Sequence, residues 1–476
     1  MNNSLPRDNS YAAVMARRND IMMQSVGIDY SLFAQGPLAF DYERMMRETA
    51  YDFAEVQRIQ TKTNVGNTPM IELHNVTRLV RMIAPSGKGA RIFIKDEACN
   101  PSGSFKARRA SVSVHHAQKN GYPGVITATS GNYGAAVASQ SAMKGLKCIV
   151  VQEIFDSHGI GQPEIIEKGR ACEAYGAQVM QLTVGPELFY VMLRLLEETG
   201  FFNASLYTPF SIAGIETLGY EVDMDIPRLA GRDPDMVVVT HAGGGNLTGT
   251  VRGIQRANAA GTKVVAASVD LSTLHMASDR DFNRKSFTTG HTGFGVPFAT
   301  VPDRSDVPRN AARSLRYMDR YTTVTQGEVF YTTEMLAQIE GLERGPAGNT
   351  ALAAAVSLAR ELDQNQVLVV QETEYTGAGK HPTAQLTFAR KMGVEVLRGD
   401  PHKNQPGKVI VIPEDISQFS IKEIDVVDLR SRYLRNAVSG IDRPLEKFEV
   451  EYLAKETNSS PEFVLSVLAD LSVKTP

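Results

Sequence analysis

Asn100-Pro101-Ser102-Gly103-Ser104-Phe105-Lys106 is the stretch on which the reading of this chain turns. It follows a short β-branched run at residues 91–95 and leads into a helix-like segment at 106–119. A lysine at such a strand-to-helix junction reaches into a cleft while the helix N-terminus adds a positive dipole. That electropositive setting favours an unprotonated amine able to form a Schiff base. Alone, Lys106 suits a solvated lysine at the start of a surface helix at least as well.

Outward from this motif, from about residue 61 to 395, apolar runs alternate with helix-like segments. The clearest strands are 91–95, 124–128, 148–151, 178–182, 236–240, 263–269 and 366–370, and the intervening helices include 106–119, 133–144, 162–175, 186–199 and 350–362. Near-continuous apolar strands separated by helices predict an α/β fold of open parallel sheets covered on both faces. In such folds ligands lie beyond the carboxyl ends of the strands.

Two further motifs occupy that kind of position. Thr129-Ser130-Gly131-Asn132-Tyr133-Gly134 follows a strand and opens a helix. Its small residues allow a ligand close, and its N–H groups suit a carboxylate; an ordinary turn with a Ser or Asn cap is the alternative. His241-Ala242-Gly243-Gly244-Gly245-Asn246-Leu247-Thr248 also joins strand to helix, and its consecutive glycines leave N–H groups free to converge on a phosphate. It is neither a dinucleotide fingerprint nor a nucleoside-triphosphate loop.

Composition narrows the class. The 476 residues are 42% hydrophobic and 22% charged, which predicts a globular protein of two or three domains. A net charge of −3 gives no reason to expect nucleic acid or an anionic membrane. Cys99, Cys148 and Cys172 lack disulfide or zinc spacing, so no metal is expected. The N-terminus lacks an apolar signal region, and no run approaches bilayer length, so the expected compartment is the cytoplasm.

The order of the loops (lysine, Ser-Gly-Asn, glycine) resembles that of the fold-type-II pyridoxal-phosphate enzymes, the threonine synthase, serine/threonine dehydratase and tryptophan synthase β group. Gly66-Asn67-Thr68-Pro69 upstream, Gly345-Pro346-Ala347-Gly348 and Thr376-Gly377-Ala378-Gly379-Lys380 look like the same family. The resemblance covers about residues 61–390. It implies two open parallel or mixed sheets flanked by helices, with pyridoxal 5'-phosphate between a large and a small domain. It gives Lys106 the Schiff base, Asn132 the contact to the cofactor's ring oxygen, and Gly243, Gly244, Gly245 and Asn246 the phosphate. Thr129, Ser130 and Gly131 would hold the substrate carboxylate. Thr376 would face the pyridine nitrogen, with Thr373 as competitor and Glu372 and Glu374 close by.

More of the chain is similar to one branch of that family, the β subunits of coenzyme A-dependent thiolases of ornithine degradation. The residues are Gly27-Ile28-Asp29-Tyr30, Phe40-Asp41-Tyr42-Glu43, Gly161-Gln162-Pro163-Glu164, the run Asp281 to His291, and Glu372-Thr373-Glu374-Tyr375-Thr376-Gly377. This resemblance implies cleavage of 2-amino-4-oxopentanoate by coenzyme A to acetyl-CoA and alanine, with Lys106 as proton carrier. It also implies a small α subunit as partner and a dimer of this chain within a hetero-oligomer. The main alternative is a β-elimination or β-replacement enzyme of the threonine synthase or dehydratase kind; a non-catalytic scaffold subunit is a second.

The expected organisation is a helical extension at 1–60 that serves as packing arm or oligomer contact. A large domain at 61–106 and 215–395, a smaller mobile domain at 107–214 and an appended C-terminal extension at 396–476 follow. Within 41–60, Met45, Met46, Ala50, Phe53 and Val56 are expected on one helical face. Ser460 and Pro461 read as N-cap and first residue of a late helix. All three cysteines are expected to be packed. The irregular stretch 271–320 carries Arg280, Arg284, Lys285, Arg304, Arg309, Arg313, Arg316 and Arg320, which either meet coenzyme A phosphates or pair with Asp279, Asp281, Asp303 and Asp306. His115 and His116 are not expected to bind metal, and His241 and His291 can approach the site.

Overall fold

A computed structural model of the chain describes residues 7–474 apart from 130, 186, 258–260, 294 and 376–381. Its largest sheet has the order Lys422–Ile424, Arg320–Val324, Lys263–Val269, Met236–Thr240, Val367–Glu372, Arg91–Asp96 and Met70–Glu72. The five inner strands are parallel and the two edge strands antiparallel. A second, wholly parallel sheet is ordered Gln178–Thr183, Lys147–Phe155, Gly124–Thr129 and Phe202–Asn203. These are the two open sheets, one parallel and one mixed, that the resemblance implies.

Burial on both faces explains why the inner strands read as unbroken apolar runs. Met236–Thr240 and Val367–Glu372 are almost wholly inaccessible, and the alanine-rich helix Asn349–Ala359 lies against them, its small side chains permitting close approach.

One long helix, Pro209–Ala230, sets the geometry that matters for the site. It packs against both Lys106–Lys119, the lysine helix, and Gly245–Ala257, the helix of the glycine loop. Glycines make the contact possible. A Cβ at Gly214 would stand 2.2 Å from the Arg108 carbonyl oxygen, one at Gly219 1.9 Å from that of Thr250, and one at Gly253 2.0 Å from that of Glu216.

Several expectations need correction. The segment 41–60 is two helices, Tyr42–Thr49 and Phe53–Thr61, because the Asp52 carboxylate accepts from the Glu55 N–H and starts a second helix. Met45, Met46 and Val56 are buried, whereas Ala50 and Phe53 are only partly so. The residues after 396 are not simply appended. Glu395–Arg398 pairs with Val409–Ile412, and Lys422–Ile424 forms an edge of the largest sheet. Ser460 does cap the helix Pro461–Asp470, accepting from the Phe463 N–H.

Candidate active site

The lysine loop is anchored on two sides. The Phe105 N–H donates to the Thr373 carbonyl at 3.1 Å and the Tyr375 N–H to that of Gly103 at 2.9 Å, tying the loop to the end of strand Val367–Glu372. From the other side, the Gly66 N–H donates to Asn100 Oδ1 and the Thr68 hydroxyl to Glu97 Oε1. Glu97 also pairs with the fully buried Arg108. The segment Gly66-Asn67-Thr68-Pro69 is thus a buttress of the lysine loop. Ser102, at φ 63°, and Gly103, at φ 70°, turn the chain through the left-handed region before the helix begins.

Lys106 is the first residue of its helix and opens on a cavity of about 160 Å³. The same cavity is lined by Thr129, Gly131, Asn132, Gly243, Gly244, Gly245, Asn246 and Thr373. Three loops far apart in sequence therefore meet at one place. Burial lowers the Lys106 pKa to about 8, with Glu374 working against the shift and Lys168 and Arg109 adding to it. Ser130 and Thr376, the expected carboxylate and pyridine contacts, lie outside the described residues.

Each loop has a local logic. The Thr129 hydroxyl accepts from the Gly131 N–H at 2.9 Å and from the Gly134 N–H at 3.3 Å, so it shapes the turn that starts helix Asn132–Lys144. Gly244 has φ 81°, and a Cβ there would also meet Ser314 at 2.8 Å. Ser314 Oγ is hydrogen-bonded to His241 Nε2 at 3.1 Å. His241 thus supports the glycine loop and does not line the cavity.

His291 does line it. The Nδ1–H of His291 donates to the Thr289 carbonyl at 2.8 Å, leaving Nε2 as an acceptor facing Gly131, where a Cβ would come within 3.1 Å. Burial, with Lys168 and Lys106 nearby, holds its pKa down to about 3. Lys168 is itself buried, bonded to Glu164 at 2.6 Å and 3.8 Å from Glu374. Burial opposes its charge, but Glu164 and Glu374 outweigh that and keep Lys168 protonated. Gln162 Nε2 donates to the Gly290 carbonyl and Gln385 Nε2 to Glu164. Sequence reasoning assigned no role to Lys168 or Arg109. Arg109 was detectable in principle, since it follows Lys106 by three positions on one helix.

The remaining candidates fall outside the cavity. Arg284 pairs with Asp279 and Asp281, Arg309 and Arg313 with Asp303, Lys285 with the buried Asp156, and Arg316 with Glu43 and Glu456. Arg320 pairs with Glu361 and Glu423, and Arg304 donates to the Gly295 carbonyl. Arg280 is exposed. Ion pairing within the fold therefore describes most of these cations. Cys148 and Cys172 are buried, but Cys99 is exposed, with its thiol 3.3 Å from Asp96 Oδ2. His115 and His116 pack around Tyr51, His116 also stacking on Phe210. Among the described residues no group of side chains could hold a metal ion, and no helix is long and apolar enough to cross a membrane.

The cavity offers what a phosphorylated aromatic aldehyde needs. It has a reactive amine, the free first-turn N–H groups of the helix Gly245–Ala257, and polar side chains awaiting partners. Among the described residues, both amide atoms of Asn246 and the Thr240 hydroxyl are buried without a hydrogen bond.

Comparison with known proteins agrees with this geometry. The family described as pyridoxal-phosphate dependent enzyme matches residues 61–373. A 2-amino-4-ketopentanoate thiolase beta subunit from an unknown prokaryotic organism is 62% identical over 471 residues, 99% of this chain and 100% of that protein. The protein of the same name from Acetoanaerobium sticklandii is 62% identical over 468 residues, 98% of this chain and 100% of its own length. Among solved structures, a threonine deaminase from T.th. superposes with a TM-score of 0.52 at 24% identity, covering 68% of this chain and 96% of that one. Maize serine racemase gives 0.52 at 22% identity, covering 72% and 97%.

Proposed function

This chain belongs to the pyridoxal-phosphate-dependent enzymes, and we propose that it is the catalytic β subunit of a 2-amino-4-oxopentanoate (2-amino-4-ketopentanoate) thiolase. It cleaves that substrate with coenzyme A to acetyl-CoA and alanine, in ornithine degradation. The observation that carries this reading is the 62% identity extending over 99% of the chain, well past the family's shared core at 61–373. The site supports it. Glu164, His291 and Glu374, from three of the segments that resemble the thiolase branch, gather with Lys168 beside Gly131 and Lys106.

Pyridoxal phosphate is the cofactor, and when bound it supplies an electron sink for charge developing on the substrate carbons. Lys106 would hold it, and its amine would carry protons at the substrate's Cα and Cβ. Asn132 orients the ring through its oxygen, and Gly243, Gly244, Gly245 and Asn246 hold the phosphate. Thr129, Ser130 and Gly131 take the substrate carboxylate. A threonine hydroxyl, Thr376 with Thr373 as the competitor, meets the pyridine nitrogen.

Coenzyme A brings the nucleophilic sulfur, so no protein thiol is required. The protein's own thiols are poor candidates for that role, because burial pushes Cys148 and Cys172 up to about 12, and Cys99 lies outside the cavity. A small α subunit completes the enzyme, this chain forms a dimer within that assembly, the residues 107–214 move against the larger domain, and the complex works in the cytoplasm. The decisive assay incubates both subunits with 2-amino-4-oxopentanoate and coenzyme A. Acetyl-CoA and alanine are expected in equal amounts; no acetyl-CoA from this substrate, with formation of a 2-oxo acid from a hydroxy amino acid in the absence of coenzyme A, would favour β-elimination instead.

A further inference from the structure

We propose that Arg109 is a direct ligand of the cofactor phosphate, supplying the positive charge that the glycine loop itself lacks. Arg109 follows Lys106 by one helical turn, so both side chains enter the same cavity. It is only 5% exposed. Its Nε donates to Ser211 Oγ at 2.8 Å and its Nη2 to the Leu206 carbonyl at 2.7 Å, and the guanidinium lies 5.9 Å from the Tyr133 ring centroid. These contacts fix the group in place but leave its charge unmatched.

The neighbouring arginine makes the contrast. Arg108, as deeply buried, is bonded to the carboxylates of Glu97 and Glu221. Among the described residues Arg109 has no ion-pair partner, and only Tyr133 and Tyr207 act favourably on its charge. A buried cation needs a counter-ion, because a low-dielectric surrounding penalises an isolated charge heavily.

Where the guanidinium sits identifies that counter-ion. A Cβ at Gly245 would stand 2.0 Å from Arg109 Nη2, so the charge lies directly against the glycine loop. The first-turn N–H groups of the helix Gly245–Ala257 begin there, and the buried Asn246 side chain has neither amide atom satisfied. Cation, N–H groups and amide await one anion. A phosphate, with several acceptor oxygens and nearly two charges, matches that set better than a single carboxylate, and an arginine fork binds it with two parallel hydrogen bonds. The inference rests on the cofactor and is independent of the thiolase reading.

The test compares pyridoxal phosphate with pyridoxal, which lacks the phosphate. Cofactor-free full-length protein is titrated with each, following absorbance. Arg109→Gln is expected to weaken pyridoxal phosphate binding roughly 10- to 100-fold while pyridoxal changes less than about twofold. Arg109→Lys should recover part of the loss, since it keeps the charge but not the fork. If Arg109→Gln does not fold, the lysine variant must still weaken pyridoxal phosphate selectively, and inorganic phosphate must compete with cofactor uptake less well in it than in the unaltered chain. Equal weakening of both compounds would mean a structural role. Unchanged cofactor binding with a raised substrate KM would assign Arg109 to the substrate carboxylate. Either result overturns the proposal.

Discussion

Lys106 and Lys168 are two enclosed amines near one another, and their neighbours push their pKa values in opposite directions. Among the described residues no carboxylate is bonded to Lys106, so burial dominates and its pKa falls to about 8. Lys168 has Glu164 and Glu374, and stays charged. The sign for Lys106 follows: below pH 8 the amine is protonated and inert toward an aldehyde, and above it the amine is free. The rate at which cofactor-free protein takes up pyridoxal phosphate should therefore rise between pH 6.5 and 9.5 with a midpoint near 8. A stopped-flow profile still climbing beyond pH 10 would contradict this. Lys168→Met should lower stability by about 3–5 kcal/mol, because Glu164 and Glu374 would then be buried without their cation. Adding Glu164→Gln should restore part of it, a non-additivity that urea unfolding can read.

The helix Pro209–Ala230 holds the lysine helix and the glycine-loop helix in fixed relation through close glycine contacts. Gly219→Ala puts a methyl group 1.9 Å from the Thr250 carbonyl oxygen, and neither backbone can yield without moving an entire helix. The expected cost is about 1–3 kcal/mol, together with weaker cofactor binding because the glycine loop moves with its helix. Unaltered cofactor affinity in a destabilised Gly219→Ala protein would show the site to be insulated from that contact. This helix was missed in the sequence for a physical reason. Its first half, residues 209–219, is buried on all sides and so lacks the polar stripe that reveals a surface helix. The strands were legible because burial on both faces makes them continuously apolar, and the three ligand loops because strand-to-helix turns carry small residues in a fixed order. Lys168 was illegible for the opposite reason. On sequence it is one charge on the helix Pro163–Ala174, and only the convergence of that helix with Glu374 and His291 gives it a place in the site. In the stretch 271–320 the Arg–Asp pairing was legible as one of two alternatives, but the burial of Asp279, Lys285, Ser286, Thr288 and Thr289 was not, because polar residues carry no burial pattern of their own.

At the scale of the molecule, both ends of the chain are sewn into the core by charged pairs. Glu456, near the C-terminus and 1% exposed, receives Arg313 and Arg316, and Arg313 also bonds to the Tyr433 hydroxyl. Glu43, from the N-terminal helices, pairs with Arg252 and Arg316. The C-terminal region also completes the largest sheet: without Lys422–Ile424, strand Arg320–Val324 would present an unpaired edge, a ready template for aggregation. Two glutamates separate an integral C-terminal region from a removable one. Glu456→Gln leaves the buried Arg313 partly unmatched and should cost about 3–5 kcal/mol. Glu361→Gln breaks a partly exposed pair with Arg320 and should cost less than about 1 kcal/mol, since water screens it. If urea unfolding gave equal losses for the two, the buried network would not be holding the C-terminal region in the fold.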